Sequence, residues 1–303
     1  MLADEKILVT GPAGQIAFPM ASYLAKDNEV WGIARFGTEG SRERVELAGV
    51  RTVVCDLVSG DFTGVPDDFT YVVHLAAFQG PGLDYDEAIR VNAEGTGLLL
   101  AHCRRARGVL VMSTHSVYKP QDGYRHVYRE ADPLGDVNAT HSPTYSVSKI
   151  SEEAVARYCS RAYELPTVIA RMNASYGDVG GLPVLHMDAI VAGEPVVTRW
   201  DPCLYMPIHQ DDINAQVESM LGAANVPATI VNWAGDEVVS VQQWCAFAGE
   251  LAAVQPEVIA KEVPGTLRGS VADISKRMAI TGPCRVAWKD GMRRAFDARH
   301  AVS

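Results

Sequence analysis

The chain has 303 residues, a length that fits one large domain or two modest domains. It carries 27 Lys and Arg against 37 Asp and Glu, and this net charge of −10 argues against a protein that binds the phosphate backbone of nucleic acids. The hydrophobic fraction of 48% and the charged fraction of 21% are typical of a folded globular protein rather than a disordered one.

The cysteines and the apolar runs bear on location and metal binding. The six cysteines are widely spaced and form neither a zinc-ligand pattern nor a disulfide framework. No basic segment precedes an apolar core near the start of the sequence, and no apolar run approaches the ~18 residues of a membrane span. We therefore expect a cytoplasmic protein with no metal site, no membrane segment and no nucleic-acid partner, acting on a small-molecule substrate.

Short apolar runs alternate with helical patterns through the first half of the chain. Strands are predicted at residues 6–10, 29–34, 51–55, 71–75, 109–113 and 167–170, and helices at Ile16–Lys26, Glu87–Arg107 and Tyr145–Tyr163. Continuously apolar strands separated by helices favour a parallel sheet that is covered on both faces. The sequence thus predicts an α/β fold with a Rossmann-type doubly wound sheet.

The pattern changes after about Arg171, where Gly and Pro become frequent and the alternation becomes irregular. One further strand is predicted at Thr229–Trp233 and one helix at Val241–Ala253. We expect a sheet domain over residues 1–171 and a smaller, mainly substrate-binding lobe over residues 172–303. Part of the second segment, about 205–233, is expected to return to the sheet domain.

A glycine-containing turn joins the first strand to the first helix. The spacing G-x-x-G-x-x-A places Gly11 at a tight turn, Gly14 where the backbone meets a pyrophosphate, and Ala17 against the strand. Gln15 and Ile16 lie at the start of the predicted helix, and we expect them to bind the cofactor there. The N-terminus of a helix offers amide groups and a partial positive charge to phosphates. An ordinary βα turn is the alternative. The functional interpretation makes residues 1–171 an NAD(P)-binding domain.

The ends of the second and third strands are expected to meet the adenosine of a dinucleotide. An acidic residue after the second strand would favour NAD, whereas this chain has Ala34 and then Arg35. Arg35 can make a charge-assisted contact to a 2′-phosphate, which favours NADP over NAD, although a solvated surface charge is nearly as good an interpretation. Asp56, followed by Leu57, can accept a hydrogen bond from the adenine amino group.

Tyr145 and Lys149 form a Y-x-x-x-K pair at the start of a predicted helix, where positions i and i+4 share a face. An ammonium group near a phenol stabilises the phenolate, so that Tyr145 can exchange a proton with an alcohol oxygen while a hydride moves at the same carbon. The hydroxyl of Thr114, just past the fifth strand, can hold that same oxygen. Lys149 can also bind the nicotinamide ribose. Without further evidence, a Tyr–Lys pair at this spacing is more often a solvated pair on a helix surface than a catalytic pair.

Small residues after the fourth strand complete this pattern. The segment Leu75, Ala76 and Ala77 offers room for a flat cofactor at the carboxyl edge of the sheet. Three strand ends and one helix are then expected to converge where doubly wound folds bind their ligands.

These stretches occur together in an order that resembles the extended short-chain dehydrogenase/reductase family, also called the NAD-dependent epimerase/dehydratase family. The matching segments are TGPAGQIA, CDL, HLAA, RVNAEGTGLLL, VMSTHSVY, PTYSVSK, RMNASYG and IHQDDI, spread over about Lys6 to Ala215. The resemblance implies that Tyr145 is the catalytic acid and base, that Lys149 is its partner, and that Thr114 binds the substrate oxygen. It also implies that Asn92 supports the cofactor region, although Asn92 could equally cap a helical turn. A homodimer formed by the helices at Glu87–Arg107 and Tyr145–Tyr163 is a further implication.

Two departures from the family pattern concern the substrate. Dehydratases of the family carry an Asp-Glu pair after the catalytic Thr, where this chain has His115 and Ser116, which disfavours dehydration. His115 is either a substrate contact or a loop histidine satisfied by the backbone. Sugar-nucleotide members have R-x-x-N-x-Y-G, whereas this chain places Ala174 at the Asn position and offers Asn173 one residue early as a substrate contact. This weakens the case for a nucleotide sugar.

Three functions are therefore compared. The leading one is an NAD(P)-dependent oxidoreductase that acts at a carbinol or carbonyl carbon. The second is a sugar or nucleotide-sugar 4-epimerase with tightly bound NAD. The third is a non-catalytic protein that binds a dinucleotide, which would have no need to keep Thr114, Tyr145 and Lys149 together.

Overall fold

The computed structural model describes residues 2–137 and 142–300. The chain divides into two compact units. The first comprises Met1–Val117, Ala139–Arg171 and Gln216–Val231, and the second comprises Tyr118–Asn138, Met172–Ala215 and Asn232–Ser303. Within the second unit, Tyr118 and Tyr128 are buried in a cluster with Leu267, which explains why the segment after β5 packs there.

The strands, in chain order, are β1 (Lys6–Thr10), β2 (Glu29–Ala34), β3 (Arg51–Val54), β4 (Tyr71–His74), β5 (Gly108–Thr114), β6 (Val127–Tyr128), β7 (Thr167–Met172), β8 (Ser175–Gly177), β9 (Gly180–Gly181), β10 (Val196–Thr198), β11 (Leu204–Tyr205), β12 (Ile208–His209), β13 (Thr229–Trp233), β14 (Val239–Ser240), β15 (Val258–Ala260) and β16 (Val271–Ala272). The α-helices are α1 (Ala17–Leu24), α2 (Ser41–Leu47), α3 (Tyr85–Ile89), α4 (Gly95–His102), α5 (Tyr145–Ala162), α6 (Leu182–Val191), α7 (Gln210–Gly222), α8 (Val241–Ala252), α9 (Ser275–Thr281) and α10 (Trp288–His300). Within the described ranges, none of these helices is both long enough and apolar enough to cross a membrane.

Seven strands form the central sheet in the order β13-β7-β5-β4-β1-β2-β3. The pairs β1/β2, β1/β4, β2/β3 and β4/β5 are all parallel. Apolar side chains of neighbouring strands, among them Leu8, Val72, Val109 and Ile169, are fully buried in one core. The order reverses at β1, where β2 and β4 lie on opposite sides, and this is the position at which such sheets bind ligands. The predicted doubly wound α/β fold is confirmed.

The helix predicted at Glu87–Arg107 is built from three pieces. A single π-helical turn, Arg90–Glu94, connects α3 to α4, and the helix ends at His102 rather than at residue 107. It ends there because the chain turns at Cys103, whose carbonyl accepts the amide of Ala106 at 3.0 Å, and then enters β5. The π-helical turn carries Asn92 into a buried position.

Among its described residues, the second unit has four small sheets of two or three strands, β10-β15, β11-β14, β12-β8-β9 and β16-β6. Its core collects apolar side chains from α6, α8 and α10, with Trp244 and Met187 completely buried. The capping box of Ser240 and Gln243 fixes the start of α8.

Candidate functional site

A cavity of about 920 Å³ lies in the first unit at the carboxyl ends of β1, β2 and β4. Its size is that of a site for a small molecule or cofactor. The lining includes these residues that the sequence assigns to cofactor binding or catalysis: Gly11, Gly14, Gln15, Ile16, Arg35, Asp56, Leu57, Leu75, Ala76, Ala77 and Tyr145. The structure therefore brings the glycine turn, the second and third strand ends and the helix of Tyr145 to one cavity.

The glycine turn has the geometry that a close approach of backbone requires. Gly11 has φ of +63°, and a Cβ atom there would lie 3.1 Å from Cα of Ala76. The Gly14 amide donates to the Gly11 carbonyl at 2.9 Å, and the Phe18 amide donates to the Gly14 carbonyl at 2.9 Å, so the turn runs directly into α1. Ile16 at the N-cap position has no polar side chain with which to cap the helix. The glycine turn and the start of α1 thus lie together at the cavity, and a helix N-terminus in such a place favours an anion.

Two arginines line the far end of the cavity, where β2 ends. Arg35 follows β2 directly, and Arg44 comes from α2. The Arg44 guanidinium donates to the Ala13 carbonyl at 2.8 Å and lies 4.2 Å from the ring centroid of Phe18. Arg44 was not predicted from the sequence, because its place in the cavity depends on how α2 packs. The one signal in the sequence is that a basic residue occurs on the helix that follows Arg35.

Asp56 lies at the end of β3 and lines the same end of the cavity. One carboxylate oxygen accepts the amide of Val58 at 3.2 Å and so caps the 3₁₀ turn Leu57–Ser59. A carboxylate has further lone pairs, so this capping bond leaves acceptor capacity for a ligand.

A buried hydrogen-bond row begins at Thr10, the last residue of β1. The Thr10 hydroxyl oxygen accepts the amides of Leu75 and Ala76 at 3.0 and 2.9 Å, and it lies 2.7 Å from Nδ1 of His74. Because two amides already donate to this oxygen, its own hydrogen goes to Nδ1, and His74 carries its hydrogen on Nε2. Nε2 lies 2.7 Å from the hydroxyl oxygen of Thr96.

His74 is held in its neutral form. Its ring is 1% exposed, and burial together with the positive charge of Lys149 lowers its pKa to about 3. A neutral imidazole fits the tautomer that the Thr10 contact requires. The row therefore fixes the backbone of Leu75 and Ala76 at the cavity wall without adding charge to it.

Tyr145 and Lys149 begin α5, and only Tyr145 lines the cavity. The Lys149 ammonium donates to the Met112 carbonyl at 2.7 Å and forms an ion pair with Glu152. Both charged side chains are 1% exposed. Burial raises the pKa of Glu152 to about 7, while the charge of Lys149 acts in the opposite direction. Glu152 was not predicted from the sequence, since a carboxylate three residues after a lysine is common on solvated helix faces.

Thr114 and His115 lie at the end of β5, outside the cavity lining. The Thr114 hydroxyl oxygen accepts the amide of Ser116 at 3.2 Å, and Thr114 itself is partly exposed. His115 is 3% exposed, and burial followed by the nearby charge of Arg171 lowers its pKa to about 3. The structure thus presents His115 as a neutral buried ring.

Asn92 connects the cavity wall to α5. Its side-chain amide donates to the Phe78 carbonyl at 3.1 Å and to the Ser148 hydroxyl at 2.8 Å, and its carbonyl oxygen accepts the Phe78 amide at 2.6 Å. Phe78 lines the cavity, whereas Asn92 stays behind it. Asn92 therefore holds the wall and does not form part of its surface.

Asn173 lies in the second unit, where its side chain serves the local fold. It donates to the Ser270 carbonyl at 2.7 Å and accepts the amides of Ala174 and Met206 at 2.9 and 3.0 Å. These contacts use most of the hydrogen-bonding capacity of the amide. Asn173 is not among the residues that line the cavity of the first unit.

The model of the NAD dependent epimerase/dehydratase family matches residues 7–189 of the chain. The chain belongs to this family. The match includes the glycine turn, the row at Thr10 and the Tyr145–Lys149 pair, and it confirms the resemblance that these segments carry in the sequence. The family is one of NAD-dependent enzymes, so the dinucleotide chemistry expected of the first unit agrees with the membership.

One similar curated protein is the L-arabinose 1-dehydrogenase (NAD(P)(+)) of Haloferax volcanii. It is 29% identical over 177 residues, which are 55% of this chain and 66% of that protein. The match thus spans slightly less than two thirds of the relative's length.

Solved structures show the same fold over nearly the whole chain. The UDP-glucuronic acid 4-epimerase of Bacillus cereus, in complex with UDP-glucuronic acid and NAD, is 24% identical, with a TM-score of 0.84 over 97% of this chain and 98% of that one. The UDP-glucose 4-epimerase of Thermus thermophilus, in complex with NAD, is 26% identical, with a TM-score of 0.81 over 98% and 100%. Both similarities confirm the Rossmann-type α/β fold.

Proposed function

We propose that the chain is an NAD(P)-dependent oxidoreductase that acts at a carbinol or carbonyl carbon of a free aldose. The observation that carries this proposal is that Tyr145 lines the same cavity as the glycine turn. A proton-transfer group and a pyrophosphate-binding turn in one cavity are what a nicotinamide-dependent reaction at an alcohol needs. The aldose is suggested by the similar L-arabinose 1-dehydrogenase and by Ala174, which replaces the Asn of nucleotide-sugar members.

In this reaction a bound nicotinamide would supply the hydride chemistry, and side chains of the protein would transfer the proton. Tyr145 takes the hydroxyl proton of the substrate during oxidation and returns it during reduction. Lys149, fixed by the Met112 carbonyl and Glu152, keeps a positive charge four residues along the same helix, which favours the phenolate of Tyr145. Thr114, at the end of β5 and outside the cavity lining, is proposed to hold the same substrate oxygen through its hydroxyl.

Among the cofactor-binding residues, the turn at Gly11 and Gly14 with the first turn of α1 would hold the pyrophosphate. Asp56 and Leu57 would meet the adenine, and Leu75, Ala76 and Ala77 would lie along the nicotinamide half. Asn92 would act through the Phe78 segment. Lys149 would give its remaining ammonium hydrogen to the nicotinamide ribose.

NADP is the preferred cofactor in this proposal. Arg35 and Arg44 line the end of the cavity beyond β2, where a 2′-phosphate would lie, and guanidinium groups bind phosphate through paired, charge-assisted hydrogen bonds. Glu39 lines the same cavity and offsets part of this charge. Titration with NADPH and NADH, followed by cofactor fluorescence, tests the preference directly.

A 4-epimerase with tightly bound NAD is the second candidate, and the similarity of the whole fold to two UDP-sugar 4-epimerases favours it. An epimerase keeps its cofactor through the cycle and shows no net change in nicotinamide absorbance. The purified protein is therefore denatured and its supernatant assayed for nicotinamide nucleotide. Stoichiometric NAD would favour epimerisation, whereas reduction of added NADP⁺ by an aldose would favour the oxidoreductase.

The chain is further proposed to work as a homodimer in the cytoplasm. Leu98 on α4 is 40% exposed and Tyr158 on α5 is 67% exposed, and apolar side chains of this size on adjacent helices suit a helical interface. All six cysteines are thiols, which suits a reducing compartment. Sedimentation that shows only monomer at micromolar concentration would reject the dimer.

A further inference from the structure

Glu152 belongs to the buried hydrogen-bond row that begins at Thr10. The chemistry proposed for Tyr145 and Lys149 does not itself require this carboxylate. It follows Lys149 by three residues on α5, and its side chain is 1% exposed. One carboxylate oxygen forms the ion pair with Lys149, and the other lies 3.5 Å from both the Thr96 hydroxyl and Nε2 of His74. The carboxylate thus ends the row that starts at the cavity wall with Thr10.

A carboxylate in this position is costly to ionise. Burial, with a smaller contribution from the adjacent Glu153, raises the pKa of Glu152 to about 7, although Lys149 and the Thr96 hydroxyl act to lower it. Removal from water disfavours a charge unless a partner compensates for it. The Lys149 ammonium is that partner, so the two charges depend on each other.

We propose that Glu152 is a positioning residue, whose carboxylate holds the Lys149 ammonium in place and neutralises part of its charge, and thereby sets the pH range in which Tyr145 exchanges protons. This inference rests on the roles proposed above for Tyr145 and Lys149. It adds a residue that acts on the reaction only through another side chain.

The charges around Glu152 leave Lys149 as its counterion. Glu153, on the same helix, is held by Arg171 of β7 through two hydrogen bonds of 2.9 and 2.7 Å, so its charge is compensated elsewhere. His74, which faces Glu152 from β4, is neutral at working pH because its pKa is about 3. From α4, the Thr96 hydroxyl contributes a dipole and no charge.

Loss of the carboxylate changes the charge that acts on Tyr145. An ammonium without its counterion stabilises the Tyr145 phenolate more strongly, so ionisation of Tyr145 moves to lower pH. The limb of the pH profile that reports Tyr145 therefore moves towards acid, whereas a purely structural role would lower the rate equally at every pH.

The test uses Glu152→Gln, which removes the charge and keeps the shape, and Glu152→Asp, which draws the carboxylate back by one methylene. Glu153→Gln is the matched control, since it removes a buried charge one residue away that contacts Arg171 instead of Lys149. Ultraviolet absorbance titration of tyrosinate, taken as the difference from the same protein carrying Tyr145→Phe, isolates the ionisation of Tyr145. Thermal unfolding verifies that each variant is folded.

We expect the Tyr145 midpoint to fall by about one pH unit in Glu152→Gln, a tenfold change in the ionisation equilibrium, and by less in Glu152→Asp. The midpoint in Glu153→Gln should match that of the original chain. Equal midpoints in the original chain and in Glu152→Gln would overturn the inference, and should Glu152→Gln not fold, an unchanged midpoint in Glu152→Asp would do so. Because the titration needs no substrate, a shifted midpoint in a protein that oxidises no aldose would leave this inference standing and reject the proposed function alone.

Discussion

The side-chain amide of Asn92 donates to the hydroxyl of Ser148 at 2.8 Å and so ties the π-helical turn to the first turn of α5. The same amide group holds the backbone of Phe78 through two further hydrogen bonds. One side chain thus links the wall of the cavity to the helix of Tyr145 and Lys149. A π-helical turn at this point brings the amide inward, as such turns often do at functional sites.

The Asn92 contacts predict a combined loss of stability and cofactor affinity. Asn92→Ala leaves buried partners without hydrogen bonds, each at a cost of roughly 1–3 kcal/mol, so the unfolding free energy should fall by about 3 kcal/mol. Because Phe78 lines the cavity, the Kd for the cofactor should rise several-fold. Asn28→Ala is the control: Asn28 also makes three side-chain hydrogen bonds, to Leu2, Leu24 and Glu5, but does not line the cavity. Unchanged cofactor affinity in Asn92→Ala would contradict the wall-holding role.

Removal of the Tyr145 hydroxyl should abolish most turnover and spare cofactor binding. General acid–base groups contribute roughly 10²–10⁴-fold to rate, so kcat of Tyr145→Phe with an aldose should fall by that factor. The Kd for NADPH, measured by fluorescence, should change less than about twofold. Tyr23→Phe alters a tyrosine of α1 that does not line the cavity and should keep full activity. Normal turnover by Tyr145→Phe would rule out the assigned role.

The two arginines predict a cofactor-specific effect. A charge-assisted hydrogen bond contributes roughly 1.5–3 kcal/mol, so Arg35→Ala should weaken NADPH binding by roughly ten- to a hundredfold and NADH binding much less. Arg44→Ala should act in the same direction. Arg42→Ala is a matched control on α2, because Arg42 contacts Glu46 and Thr52 and does not line the cavity. Equal losses for NADPH and NADH in Arg35→Ala would refute a contact with the 2′-phosphate.

The buried His74 predicts a pH dependence of stability. Its folded-state pKa of about 3 lies below the ordinary value near 6.5, so the stability it provides is present above pH ~6.5 and is lost as the pH falls towards 3. Glu152 has the opposite effect on stability. Because its folded-state pKa is raised to about 7, the folded state binds this proton more readily than the unfolded state, and stability rises as the pH falls through this range. Denaturant unfolding at several pH values should show a weaker acid loss in His74→Gln than in the original chain. An acid loss in His74→Gln equal to that of the original chain would contradict this effect.

Much of the sheet was predictable because its strands are short apolar runs between polar or glycine residues. The predicted limits of β1, β2 and β13 are those of the structure, Lys6–Thr10, Glu29–Ala34 and Thr229–Trp233. The helix predicted up to Arg107 ends at His102, since periodicity does not reveal where a turn interrupts a helical pattern.

The site was predictable where backbone geometry decides and not where side-chain packing decides. The turn at Gly11 needs a left-handed φ, which a glycine in that sequence position signals. The ion pair of Lys149 and Glu152 left no such signal, because the same i, i+3 spacing is common on exposed helices. Asn173 looked available for a ligand, but its bonds to Ser270 and Met206 depend on contacts distant in sequence.

The double anchoring of Arg44 also affects how readily the cavity accepts an anion. A long cationic side chain normally loses considerable rotamer entropy when it closes on a ligand. In this chain the guanidinium already lies against the Phe18 ring and donates to the Ala13 carbonyl. Part of that disorder has therefore been removed during folding, so in the proposed cofactor role an incoming phosphate would meet a donor that is already in place.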